Sequence, residues 1–101
     1  MPEEILYEDV VTFIGTHLHP IAILETLGNG PLSEDRLIKE VATHHLAKAI
    51  RTNSDNIKHW IEECSRYKIL ERTPEGVRKT PLGDQCYREA QELGYNYRHK
   101  S

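Results

Sequence analysis

Between Ser54 and Pro81 the chain reads SDNIKHWIEECSRYKILERTPEGVRKTP, and its apolar residues change period twice within that stretch. Ile57, Trp60, Ile61 and Cys64 recur at three- and four-residue steps, which is one face of a helix. Ser54, Asp55 and Asn56 offer side-chain oxygens for the amides of its first turn, and Tyr67 and Lys68 end it. Lys68 to Arg72 then reads as a short strand, Thr73-Pro74-Glu75-Gly76 as a turn, and Val77 to Thr80 as the returning strand. Thr80-Pro81 opens another helix by cap and first-turn proline, with Leu82, Cys86, Ala90 and Leu93 on one stripe. Any fold must therefore let an amphipathic helix run straight into a hairpin.

Upstream, Leu6, Val10, Phe13, Ile14 and Leu18 predict a helix over Glu3 to Leu18, with Gly15 as a place where it can bend. His19-Pro20 marks a boundary, because a residue before proline avoids helical backbone and proline suits a first turn. A short helix from Pro20 to Leu27 follows, buried through Ile21, Ile23, Leu24 and Leu27. Gly28-Asn29-Gly30-Pro31 is a turn that can use positive φ. Ser33 caps the next helix, Glu34 and Asp35 suit its positive end, and Leu37, Ile38, Val41 and Ala42 form its inward stripe. Thr43 to Asn53 either extends that helix or makes a separate short one through Leu46, Ala47 and Ile50. The predicted class is mainly α with a small antiparallel β-hairpin, one domain over 1–101 with a core at about 13–93 and a mobile tail at 94–101.

A chain of 101 residues with 38% apolar and 29% charged side chains makes one modest core and leaves no room for an elaborate enclosed active site. No run approaches the roughly 18 apolar residues of a membrane span, and the acidic start Met1 to Glu4 lacks the basic region of a signal peptide. The expected location is the cytoplasm. Cys64 and Cys86 fall on helix faces assigned to the interior, where a free thiol acts as a small hydrophobe; a disulfide is the alternative.

The net charge of -3 opposes nucleic-acid binding until its distribution is considered. Residues 1–42 carry eight acids and two bases, whereas residues 43–80 carry five acids and eight bases. Positive charge thus collects in the stretch that holds the helix and hairpin.

His17-x-His19 and His44-His45 invite a metal-site reading. Their spacing lacks the paired cysteines of structural zinc sites, so surface or interfacial histidines are expected and no metal or other cofactor. GNGP lacks the lysine and hydroxyl residue of a phosphate-cradling loop, and HExxH and GxSxG are absent. No catalytic residue is expected.

The order of these elements resembles a winged helix-turn-helix domain. AILETLGNGPLSEDRLIKEVA is similar to the first two helices of winged-helix transcription regulators, including the MarR-like, PadR-like and HxlR-like groups. IKHWIEECSRYKILER resembles their third helix and first wing strand, and RKTPLGDQCYREA the opening of their last helix. The likeness spans roughly Phe13 to Leu93. It departs at Lys68, where many relatives place glycine, and in several residues inserted between the second and third helices.

The resemblance implies a dimeric, sequence-specific regulator on double-stranded DNA, with a recognition helix over about 54–67 in the major groove and a wing over about 68–80 on the backbone or minor groove. A 100° step per residue puts Asp55, His59, Glu62 and Arg66 on the helix's outer face, with Asn56 and Lys58 flanking. The candidate DNA contacts are Ser54, Asn56, Lys58, His59, Arg66, Arg72, Arg78 and Lys79, with Lys48 and Arg51 as weaker ones. Tyr7, Phe13, Tyr87 and Tyr95 are candidates for a dimer interface or, more often at such spacing, for the core. The alternative function is a winged-helix protein-interaction module in a transcription, replication or viral assembly.

Overall fold

The structure, a computed structural model, describes residues 6–28 and 30–93. Its first helix, α1 (Tyr7–Thr16), buries Val10, Val11, Phe13 and Ile14. The second, α2 (Leu18–Leu27), turns 96° away from it. The break falls at His17, in extended backbone, and not at His19-Pro20. Pro20 sits in the first turn of α2, where a missing amide has no helical partner to lose. Side chains instead stop α1: His17 Nδ1 donates to the Phe13 carbonyl at 2.9 Å, and Thr16 Oγ1 donates to that of Thr12 at 2.8 Å. Leu18, expected on the stripe of the first helix, is the opening residue of α2 and half-buried.

Helix α2 is apolar on nearly every side because other elements surround it. Gly28 ends it with φ of 57°, and the chain then reaches α3 (Glu34–Ala42), capped by Ser33 Oγ, which accepts from the Arg36 amide at 3.2 Å. Leu37 and Val41 of α3 are buried, whereas Ala42, expected on that stripe, is exposed at the last turn. A separate short helix α4 (His45–Ala49) follows, so α3 is not extended. Thr43 Oγ1 donates to the Glu40 carbonyl at 2.8 Å and closes α3, while His44 Nδ1 accepts from the Leu46 amide at 3.1 Å and starts α4. Leu46 and Ala47 are buried, but Ile50 is exposed just past the end of α4.

The longest helix, α5 (Ser54–Arg66), is capped by Asn53, one residue earlier than the Ser-Asp-Asn triplet suggests: Asn53 Oδ1 accepts from the Asn56 amide at 2.9 Å. At its other end the Lys68 amide reaches the Ser65 carbonyl at 3.0 Å and the Ile69 amide reaches that of Cys64 at 3.1 Å. This paired closure requires a left-handed residue, and Lys68 supplies it at φ of 67°. The hairpin therefore begins two residues later than expected, as β1 (Leu70–Thr73) and β2 (Gly76–Lys79), paired antiparallel with Leu70 opposite Lys79 and Arg72 opposite Val77. On the other edge of β2, Leu32 exchanges two backbone bonds with Val77, at 3.0 and 2.7 Å.

The last helix, α6 (Pro81–Glu92), is capped by Thr80 and packs along α1, burying Gly83, Cys86 and Ala90. Leu93, expected on this stripe, lies beyond the last buried turn and stays exposed. The Tyr7 hydroxyl donates to Glu89, which pushes the Tyr7 pKa up to about 12. Glu25 accepts from His44 Nε2 at 2.9 Å and from the Tyr87 hydroxyl, joining α2, the α4 cap and α6. Of the interface candidates, Phe13 is therefore core, Tyr7 and Tyr87 are held within the monomer, and Tyr95 lies outside the described residues, as does the tail from Gly94. Cys64 and Cys86 are buried free thiols; burial raises both, that of Cys86 to about 11, so neither is a ready nucleophile. Among the described residues no single helix is long and apolar enough to cross a membrane.

Two substitutions test the joints at either end of the hairpin. Lys68→Gly relieves a left-handed backbone at a cost in chain entropy, and should raise the unfolding free energy by about 0.5–1 kcal/mol in a urea melt. Gly76→Ala should lower it by about 1–3 kcal/mol, since φ is 132° there and a Cβ would come within 2.4 Å of the Leu32 carbonyl oxygen.

Candidate nucleic-acid interface

Helix α5 presents two unlike faces. Ile57, Ile61 and Cys64 are fully buried against α2 and α3, which fixes the rotation of the helix about its own axis. The opposite face carries Ser54, Asp55, Asn56, Lys58, His59, Glu62 and Arg66, all exposed. Every α5 residue expected to reach a duplex is thus accessible, along one side of one rigid element.

Trp60 lies between the two faces and is held by rings. His19 stacks on it at 5.1 Å and nearly parallel, His17 lies tilted at 4.9 Å, and His59 meets it edge-on at 5.8 Å. Phe13 stacks on Tyr67 at 4.1 Å beneath this group. His19 Nε2 also bonds Thr52 Oγ1 at 2.8 Å, and burial, then His17 and His59, hold its pKa below the ordinary histidine value. The His17-x-His19 pair thus clamps α5 to the α1–α2 corner. His44 and His45 stack on each other at 4.5 Å, with His44 engaged by Glu25. Among the described residues no three His, Cys, Asp or Glu side chains are placed to hold a metal ion.

The hairpin does not gather its bases on one side. Residues facing each other across an antiparallel pair share a face, and successive residues alternate. Arg72 and Lys79 therefore lie on the face of buried Val77 and Leu70, while Arg78 lies on the other face beside Glu71. Each has a carboxylate: Arg72 pairs with Glu34 at 3.2 Å, Arg78 with Glu71 at 2.9 Å, and Lys79 with Asp84 at 2.9 Å. Arg66 likewise pairs with Glu63 on its own helix at 3.1 Å. Lys48, Arg51, Lys58 and Lys68 have no ion-pair partner among the described residues. Arg51 occupies a left-handed turn, φ 55°, two residues before the α5 cap.

The sequence reading placed the hairpin bases above Lys48 and Arg51; in the structure the hairpin bases carry ion pairs, and Lys48 and Arg51 have none among the described residues. Ion pairs of exposed side chains such as Arg66, Arg72 and Arg78 are worth only about 0–1 kcal/mol, so a phosphate can replace their carboxylates, whereas Lys79 and Asp84 are less exposed. The unpaired cations need no such exchange. Sequence reasoning also overlooked Asn53 and Arg88. Asn53 is the residue before the apparent capping triplet, and Arg88 stands four residues after Asp84, a spacing that predicts their observed contact at 3.1 Å.

No protein-family model, curated protein or solved structure matches this chain. The hydrogen bond from Lys79, opposed by partial burial and aided by the charges of Lys79 and Arg88, holds the Asp84 carboxyl below the usual carboxylate range. A folded value below the unfolded one, about 3.9, stabilises the fold above pH 4, and that contribution is lost as pH falls through the folded value. The gap in melting temperature between the native chain and Asp84→Asn should accordingly be widest near pH 7 and close as the pH drops below about 4.

Proposed function

We propose that the chain is a winged helix-turn-helix protein that binds double-stranded DNA as a homodimer in the cytoplasm and regulates transcription. In this reading α3 and α5 are the helix-turn-helix pair, α4 is an insertion between them, and β1–β2 with Leu32 forms the wing. The observation that carries it is α5 itself, anchored by one face and bare along the other, with a hairpin leaving directly from its end.

A helix of 13 residues is about 20 Å long and fits a B-DNA major groove, about 12 Å wide. Asn56 can pair with adenine edges, and Lys58 with guanine or a phosphate. The first-turn amides and Ser54 suit a backbone phosphate. Asp55 and Glu62 on the same face repel phosphates and favour a shallow approach unless one accepts from cytosine. Lys48 and Arg51 add unpaired charge just before α5, and Arg72, Arg78 and Lys79 contact phosphates by exchanging their carboxylate partners. Leu6 and Leu93, exposed just before α1 and just after α6, offer apolar surface to a second copy.

Two observations favour the second reading, a protein-interaction module: the hairpin bases are all matched by acids, and the net charge is negative. Anisotropy of a labelled duplex, titrated across salt concentrations, separates the two. A duplex binder loses affinity steeply with salt; Lys58→Ala lowers the log–log slope by about 1, and Arg78→Ala weakens binding alike on unrelated sequences. A response that stays flat and unmeasurable at low salt leaves the interaction module.

A further inference from the structure

On the α6 side of the hairpin the structure forms a recess of about 370 Å³, walled in part by Gly28, Gly30, Arg78, Lys79, Asp84 and Arg88. The chain leaving α2, strand β2 and the first turns of α6 meet there. Asp84 organises its charge. One carboxylate oxygen holds Lys79 Nζ at 2.9 Å and the other holds Arg88 Nε at 3.1 Å, so a single acid draws two cations to one wall. Lys79 is fixed there, its side chain only 24% exposed. Arg88 engages Asp84 through Nε, which leaves its two terminal amino groups for a further acceptor. Arg78 stands on the wall of β2, paired with Glu71, which is not among the lining residues.

Arg78, Lys79 and Arg88 line the recess with one carboxylate, Asp84; Arg78 is matched by Glu71, and the charge turned to the recess rests on Lys79 and Arg88. A phosphate monoester carries about two negative charges at neutral pH, more than a monocarboxylate offers to be shared between Lys79 and Arg88. A guanidinium fork suits the geometry of phosphate oxygens, and the amino end of the twelve-residue α6 adds its partial positive charge. We propose that this recess binds a compact phosphate-bearing small molecule. Arg88 and Lys79 are its principal contacts, Arg78 a third, and Asp84 is a positioning residue. The recess shares Arg78 and Lys79 with the residues proposed to contact DNA, whereas Arg88 and Gly30 belong to the recess alone.

The test is calorimetric titration of pyrophosphate into the full chain, with ionic strength held constant by chloride. Saturable binding is expected, weakened about tenfold or more by Arg88→Ala, in line with loss of one hydrogen bond between charged groups. Gly30→Asp, where a Cβ meets no atom within 4 Å, should fold normally and weaken binding similarly by adding a negative charge to the wall. Lys58→Ala should bind pyrophosphate as the native chain does. The absence of saturable heat, or binding by Arg88→Ala and Gly30→Asp as tight as that of the native chain, overturns the proposal. Duplex anisotropy on Arg88→Ala distinguishes the source of the phosphate: unchanged duplex affinity supports the small-molecule site. Weakened duplex affinity overturns it in favour of a backbone-phosphate seat. A native chain that binds pyrophosphate and no duplex refutes the regulator reading alone.

Discussion

Lys68 and Ile69, just past the end of α5, hold that helix, the hairpin and α6 together. Lys68 turns left-handed so that the amides of Lys68 and Ile69 can close the helix on Ser65 and Cys64. Ile69 is fully buried, and its carbonyl accepts the Thr80 amide at 3.0 Å where the hairpin returns. Thr80 Oγ1 donates to the Lys68 carbonyl at 2.6 Å and accepts from the Gly83 amide at 2.9 Å. Gly83 is a glycine because a Cβ would stand 2.4 Å from the Ile69 oxygen. One junction thus sets where α5 stops, which way the ribbon leaves and where α6 begins. A lysine in the left-handed position is strained by roughly 1–2 kcal/mol, a strain that the three elements meeting there sustain.

Above that junction the aromatic group fixes α5 from its other side. His17 and His19 come from the corner between α1 and α2, and Trp60 from the middle of α5, so the corner's 96° bend and the seat of the helix are one arrangement. The rotation of α5 is therefore set by packing on both flanks, and its polar face is a consequence of that packing. Electrostatics follow a different division. The ribbon is neutralised residue by residue, whereas Lys48, Arg51 and Lys58 have no ion-pair partner among the described residues. Affinity for a polyanion, in the proposed reading, originates there, and the ribbon contributes through exchange of its partners.

Much of the local structure was legible in the residues. Period alone separates the buried face of α5 from its outer face, and Thr80-Pro81 and Ser33 mark helix starts where the helices begin. Departures arise where side chains compete for backbone groups. His17 stops α1 by taking a carbonyl that a continued helix would use, and no periodic pattern records that bond. Asn53 outcompetes Ser54 for the α5 cap, and His44 caps α4 through a ring nitrogen that a list of good caps omits. Ala42, Ile50 and Leu93 have the right spacing to be buried, but each lies at or past a helix end and is exposed.

The sequence by itself determined the helical and extended periods, the turn at Pro74–Gly76 and the concentration of bases in residues 43–80, because these depend on neighbours along the chain. The tertiary structure alone decided which bases are neutralised, that Arg78 and Lys79 take opposite faces, and that Glu25, His44 and Tyr87 meet from α2, the α4 cap and α6. Each of those depends on groups far apart in sequence. Their distances are fixed only when the core closes, so charge that reads as one cluster along the chain separates into paired and unpaired sets in space.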